Sequence, residues 1–250
     1  MRVCKLFYTD THNRLQLSQE EKNFVNCQSG LPFDDTLFDT DGESPRPETY
    51  GEVTSLGARQ LFRQLGLTAE ATQNEHPEYQ FFDLGSGGGR LVIQAHLEMP
   101  SVLKSVGVEL SHSRHKAATS MWGKLRESGD ARRIRASAEE SWGLRSVDPV
   151  VELHEGDLYS LDISEATHIY VSSLCFSEDM LERLVEKIEL EGGRLKVLAS
   201  LRLLPLRKKD GRQSIRRLGR KPWTEFIEMS WTKGSGDGCP VYFYKAEATN

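Results

Sequence analysis

The chain contains no apolar run near the ~18 residues that a membrane-spanning helix requires, and no such span is expected. Its first residues, Met1-Arg2-Val3-Cys4-Lys5-Leu6-Phe7, lack the apolar core of a secretory signal. It has only four cysteines, Cys4, Cys27, Cys175 and Cys239, far apart and without a CxxC pair. A cysteine metal site is therefore not expected, and reduced thiols in an intracellular compartment are. The net charge of −5 speaks against generic nucleic-acid binding by the whole molecule. There are no internal repeats. What remains is a 250-residue chain, 38% hydrophobic and 28% charged, long enough to bury a sizeable core as one globular domain with a short annex.

Residues 1–48 are weakly periodic and read as a partly mobile N-terminal arm. Ser18-Gln19-Glu20-Glu21 has the pattern of a helix start, and the run from Asp39 to Pro47 breaks regular structure. The domain proper is assigned to 49–250. Leu56, Ala58, Leu61, Phe62 and Leu65 fit helical spacing and end at Gly66. Beyond a linker at 68–77, strand and helix alternate. Strands are predicted at 79–84, 102–110, 150–153, 167–171 and 194–201, with helices at 90–98, 113–125, on to about 141, and 178–189. Alternation of this kind implies a parallel sheet with helices on both faces. Two last strand-like runs, 224–231 and 241–245, read as a hairpin that closes one side of the sheet.

One stretch organises the rest, Phe81-Phe82-Asp83-Leu84-Gly85-Ser86-Gly87-Gly88-Gly89-Arg90. It reads as a buried strand running into a glycine turn that opens a helix, whose free N–H groups face the loop. Alone, such a loop also suits a dinucleotide. Two later acids narrow the choice. Glu109 ends the second strand about two dozen residues after the first glycine, where a carboxylate can take both hydroxyls of a ribose. Asp157 follows the third strand, where it can accept from an adenine amine. Asp83, ahead of the glycines, suits a cationic amino-acid end better than a pyrophosphate. The ligand expected is S-adenosylmethionine, and the site that of a class I methyltransferase.

The segments Pro47-Glu48-Thr49-Tyr50-Gly51-Glu52, Phe82-Asp83-Leu84-Gly85-Ser86-Gly87, Gly107-Val108-Glu109, and Ser230-Trp231-Thr232 with Pro240-Val241-Tyr242-Phe243-Tyr244 resemble one family over residues 45–246. It is the histone-lysine methyltransferases of the disruptor-of-telomeric-silencing (DOT) type. Arg90-Leu91-Val92 is also similar to another lysine-methyltransferase family, which explains neither Tyr50-Gly51-Glu52 nor the tail. The DOT-type resemblance implies a Rossmann-like α/β fold with a mostly parallel seven-stranded sheet and an antiparallel C-terminal hairpin. It implies a lid over S-adenosylmethionine from Tyr50, Gly51, Glu52 and Val53. Asp83, Gly85, Ser86, Gly87, Gly89 and Arg90 would line its methionine and ribose parts, Glu109 would take the ribose hydroxyls, and Asp157 with Leu158 the adenine. Ser172, Phe176, Trp231 and Tyr244 would shape the lysine channel, with Tyr244 directing the amine's lone pair. No metal is implied. The nucleus is favoured over the cytoplasm.

Three departures from the family pattern stand out. Ser172-Ser173-Leu174-Cys175-Phe176 replaces Asn-Asn-Phe, Arg90 replaces a Gln, and Ala199-Ser200-Leu201-Arg202 replaces Ser-Lys-Pro-Phe. A further feature is the basic stretch 206–221. Arg207, Lys208, Lys209, Arg212, Arg216, Arg217, Arg220 and Lys221 against Asp210 give +7, leaving −12 on the remaining chain. The stretch lies between strand five and the hairpin, near the expected substrate edge, and would suit DNA or an acidic protein patch. A nucleosomal histone is the favoured substrate. The alternatives are a lysine of a non-histone protein, and a non-catalytic module that binds S-adenosylmethionine.

Overall fold

The computed structural model describes residues 52–68, 78–144, 148–206, 217–219, 221–232 and 238–247. The expected N-terminal arm, with its helix start at Ser18, lies outside the described residues. The elements run α1 (Ser55–Gln64), β1 (Tyr79–Leu84), α2 (Arg90–Glu98), β2 (Val102–Glu109), α3 (His112–Glu127), α4 (Asp130–Trp142), β3 (Val150–Glu155), β4 (His168–Val171), α5 (Glu178–Glu191), β5 (Val197–Ser200), β6 (Trp223–Ile227) and β7 (Cys239–Lys245). They form one seven-stranded sheet in the order β3-β2-β1-β4-β5-β7-β6. The first five strands in that order are parallel, and β7 pairs antiparallel with both β5 and β6. The expected architecture, including the closing hairpin, is the observed one.

The period-2 alternation of β1 separates two cores. Phe81 faces a cluster with Leu61, Phe62, Leu91, Tyr170, Ala199 and Phe243. Phe82 and Leu84 face a second, with Leu181, Leu184, Val185, Ile188 and Tyr244. Helices α1 and α2 therefore cover the Phe81 face and α5 covers the other. Helix ends follow local chemistry. Thr54 caps α1 by accepting from the Gly57 amide at 3.0 Å. Ser177 caps α5, whose first turn carries Glu178 and Asp179 against the helix dipole.

A third cluster joins Ile93 and Leu97 of α2 to Ala131 and Ile134 of α4. Arg135, only 4% exposed, fastens this layer. Its guanidinium donates to the carbonyls of His96, Met99, Pro100 and Val102 and pairs with Glu139 at 3.1 Å. A buried charge is tolerated only when its donors are all engaged, and here it fixes the turn that leads into β2.

Two buried histidines make the fold acid-sensitive. Burial, and then Arg135, lowers His96 to about 4. Burial, and then Lys196, lowers His168 to about 3. Both are neutral in the fold and protonate more readily in the unfolded chain. Their contribution is complete above an unfolded pKa of about 6.5 and is lost as pH falls from there toward the folded values. Thermal unfolding between pH 7.5 and 4.5 should show a falling Tm. The fall should be shallower in a His96→Gln/His168→Gln variant.

Candidate active site

The sheet register builds the site. In adjacent strands Gly107, Asp83, Tyr170, Ala199 and Phe243 are in-register partners and form one row on the Phe81 face. The next row toward the carboxyl ends begins with Glu109 and continues with Gly85 and Ser172. Gly85 has φ 89°, a left-handed backbone natural to glycine, and a Cβ there would lie 3.8 Å from that of Ser172. A cavity opens above these rows. The glycine loop, Glu109 with Arg114, Gly156 to Tyr159, Ser172 with Phe176, and Glu52 with Val53 line it. It lies at the carboxyl ends of parallel strands, where open α/β sheets bind their ligands.

Its floor is electrostatically unusual. Asp83 is 3% exposed, and its Oδ1 is buried without a hydrogen-bond partner. Burial, and then the Glu109 and Glu52 carboxylates, push its carboxyl well above the ordinary carboxylate range. Glu109 is better supported. Its oxygens accept from the Gly87 amide at 2.8 Å and the Ser111 amide at 2.9 Å, and Arg114 lies 3.7 Å away. A carboxylate offers about four lone-pair sites, so Glu109 retains acceptor capacity toward the cavity. Asp157 accepts from the Tyr159 amide at 3.0 Å.

The roof comes from the far end of the sequence. Val53 forms an antiparallel bridge with Met229. The Ser230 amide donates to the Glu52 carbonyl at 2.8 Å, and the Glu52 amide to Ser230 Oγ at 3.2 Å. The Arg90 guanidinium, at the start of α2, pairs with the Glu52 carboxylate at 3.4 Å. Tyr50 and Gly51 lie outside the described residues, so the lid expected from them is represented here by Glu52 and Val53.

The structure brings Glu52, Val53, Asp83, Gly85, Ser86, Gly87, Arg90, Glu109, Asp157, Leu158, Ser172 and Phe176 around one cavity. Three expected residues are placed elsewhere. Gly89 is packed below the loop, where a Cβ would come within 2.8 Å of the Ala118 Cβ, so it lets α2 approach α3. Trp231 is 45% exposed and does not line the cavity. Tyr244 follows Phe243 on β7 and therefore points to the opposite face of the sheet from Asp83. It is 1% exposed, and its hydroxyl accepts from the Leu204 amide at 2.8 Å.

Sequence reasoning missed Tyr170, Arg114, Tyr159 and Met180, which also line the cavity. Tyr170 was within reach, since it stands two residues before Ser172 on a strand. The basic stretch also departs from expectation where it is described. Arg217 donates to the Glu189 carbonyl at 2.6 Å, and Leu218 bridges Ala246. Both contacts lie at the amino end of β5, across the sheet from the cavity. Residues 207–216 and 220 lie outside the described residues.

Two of the departures form one network. Ser173 Oγ and Ser200 Oγ are 2.8 Å apart, and the Arg202 amide donates to Ser173 Oγ at 3.0 Å. The Arg202 side chain reaches the Phe176 carbonyl and the Glu178 carboxylate. The loop that presents Phe176 is thus tied to the end of β5.

Sheet order, reversed β7 and the carboxylate-lined cavity define the class, a Rossmann-like class I methyltransferase. The chain belongs to the DOT1 histone methylation protein family, whose model matches residues 41–239. No curated protein matches the sequence at a significant level. Among solved structures, an RNA methyltransferase from Salinibacter ruber with S-adenosyl-L-homocysteine is 22% identical. That match covers 77% of this chain and 92% of the other, with a TM-score of 0.42. A putative RNA methyltransferase from Pyrococcus horikoshii is 12% identical over 94% of this chain and 100% of the other, with a TM-score of 0.47. Magnesium protoporphyrin IX methyltransferase from Synechocystis, with bound SAM, is 13% identical over 94% and 100%, with a TM-score of 0.44.

An unpartnered buried carboxyl with a raised pKa favours unfolding at neutral pH, where the unfolded chain ionises freely. Asp83→Asn should therefore raise the Tm of the ligand-free protein at pH 7. A gain of about 1 kcal/mol corresponds to roughly 2–4 °C at this size. Differential scanning calorimetry would measure it.

Proposed function

We propose that the protein transfers a methyl group from S-adenosylmethionine to a lysine of a histone presented in the nucleosome. The histone acceptor is supported by the family match, and the observation that carries the cofactor is the lone carboxyl of Asp83, buried at the floor of the cavity. It lacks a cationic partner, which the amino-acid end of this cofactor would provide. The remaining residues fit the same ligand. Arg90 is near enough to the helix start to take the ligand's carboxylate, Glu109 has lone pairs for the ribose hydroxyls, and Asp157 with Leu158 suits adenine.

The chemistry supplied by bound S-adenosylmethionine is a methyl group on a cationic sulfur, open to in-line displacement by an amine. The protein's part is to position the reactants and exclude water. The roof from Glu52 and Val53 covers the methionine end. Phe176 provides an aromatic wall, and such a surrounding lowers the pKa of an entering lysine by desolvation and favours its neutral form. Aromatic faces also hold the cationic product. No dedicated base is assigned.

A labelled-methyl assay on nucleosomes, free histones and cell lysate tests this reading. Transfer to a histone lysine is expected, with nucleosomes the best acceptor. Transfer only to a lysate protein would favour a non-histone substrate, and tight cofactor binding without transfer would favour a binding module. By calorimetry, Asp83→Ala and Glu109→Ala should each weaken S-adenosylmethionine at least about tenfold, or about 1.4 kcal/mol. Near-normal affinity in both would refute the site assignment.

Nuclear action follows from a nucleosomal substrate. The basic stretch 206–221 would then contact nucleosomal DNA. Replacing Lys208, Lys209 and Arg212 by Gln should weaken nucleosome binding and flatten its salt dependence by about one charge per cation removed. An unchanged slope would rule that contact out.

A further inference from the structure

Arg114 lines the cavity beside Glu109 and has no part in the site proposed so far. It stands in the first turn of α3, which carries no acid there. A helix N-terminus is the positive end of the helix dipole, so a cation at this position works against the helix. The compensating contact is at the cavity. Arg114 Nη1 lies 3.7 Å from Glu109 Oε1, and the two side chains are 14% and 8% exposed. An ion pair shielded from water in this way is stronger than one at the surface.

Glu109 has need of such a partner. After burial, its charge is the next cause of the raised Asp83 pKa, and two acids on one floor repel. Two backbone amides fix its carboxylate, Gly87 on Oε2 at 2.8 Å and Ser111 on Oε1 at 2.9 Å. Each oxygen keeps a second lone pair. At 3.7 Å the guanidinium is beyond hydrogen-bonding distance, so it attracts the carboxylate without consuming one of those lone pairs. The carboxylate is therefore held by two amides and one charge, with an acceptor left on each oxygen. Two hydroxyls, each with one proton to donate, would fill them.

We propose that Arg114 is a positioning residue, whose charge holds the Glu109 carboxylate in place beside Asp83 and so sets the preference of the site for a ribose with both hydroxyls. The inference rests on the S-adenosylmethionine reading above. Arg114 acts through Glu109 and takes no part in methyl transfer. Without the cation, repulsion from Asp83 loosens the Glu109 carboxylate on its two amides, and the ribose hydroxyls lose a fixed acceptor. A ligand without those hydroxyls never uses that acceptor, so its binding does not depend on Arg114. A contact built for a hydroxyl discriminates strongly against the analogue that lacks it.

The test measures, by calorimetry on the full chain, the affinities for S-adenosylhomocysteine and for its 2′,3′-dideoxyribose analogue, which keeps the adenine and the amino-acid end. The parent should bind the hydroxylated ligand about a hundredfold more tightly, the scale of two hydrogen bonds to a charged group. In Arg114→Gln that ratio should fall about tenfold. The loss should come from the hydroxylated ligand, with the analogue within about twofold of its parent affinity. Arg114→Lys keeps the charge and should restore most of the ratio. Arg114→Met takes the place of a Gln variant that does not fold. A merely structural change in α3 would weaken both ligands alike and leave the ratio where it was, and that result overturns the inference. So does a ratio that Lys fails to restore. A parent that binds both ligands equally overturns the assignment of Glu109 to the ribose, and one that binds neither overturns the cofactor reading; this inference falls with either.

Discussion

A carboxyl group is costly to bury without a partner, and the site depends on that cost being accepted at Asp83. The acid occupies the middle of the sheet, between Gly107 and Tyr170, where the surrounding row is otherwise glycine, alanine and aromatic. Its Oδ1 has no hydrogen-bond partner among the described residues. The arrangement is a local weakness of the kind found at functional sites. It is held in place by features that are themselves well satisfied, among them Arg135 on its four carbonyls and Glu109 on two backbone amides.

Much of this architecture was legible in the sequence because its signals are local. A strand, a glycine turn and a helix announce themselves within ten residues, and each predicted element from β1 to β7 is found with ends shifted by a few positions. The acids at the strand ends were legible for the same reason. What failed was parity and distance. Tyr244 was assigned to the lysine channel by resemblance, but one residue along β7 separates the cavity face from the opposite core, and the phenol is on the wrong side. Tyr170 belongs to no motif, although its spacing from Ser172 places both on one face. The basic stretch reads as near the substrate by its position in the chain, whereas Arg217 is fastened to Glu189 near the amino end of β5.

The departures from the family pattern look scattered in the sequence and are connected in space. Ser173, Ser200 and Arg202 bond to one another across the ends of β4 and β5 and hold the Phe176 loop. Arg90 reaches Glu52. They are local replacements of one set of contacts by another, at the ends of β4 and β5 and at the start of α2. The two most distinctive family segments also meet, since Glu52 is bonded to Ser230.

That last contact bears on how the molecule assembles. Glu52 and Ser230 are 178 residues apart. A roof of this kind cannot form from any local folding unit. It closes only after the sheet has grown from β1 to its last antiparallel strands, and loop-closure entropy makes such long-range contacts late events. The roof of the cavity therefore depends on contacts between the two ends of the described chain. A ligand that grips both floor and roof would act on that step, drawing partly closed molecules toward the complete fold by mass action.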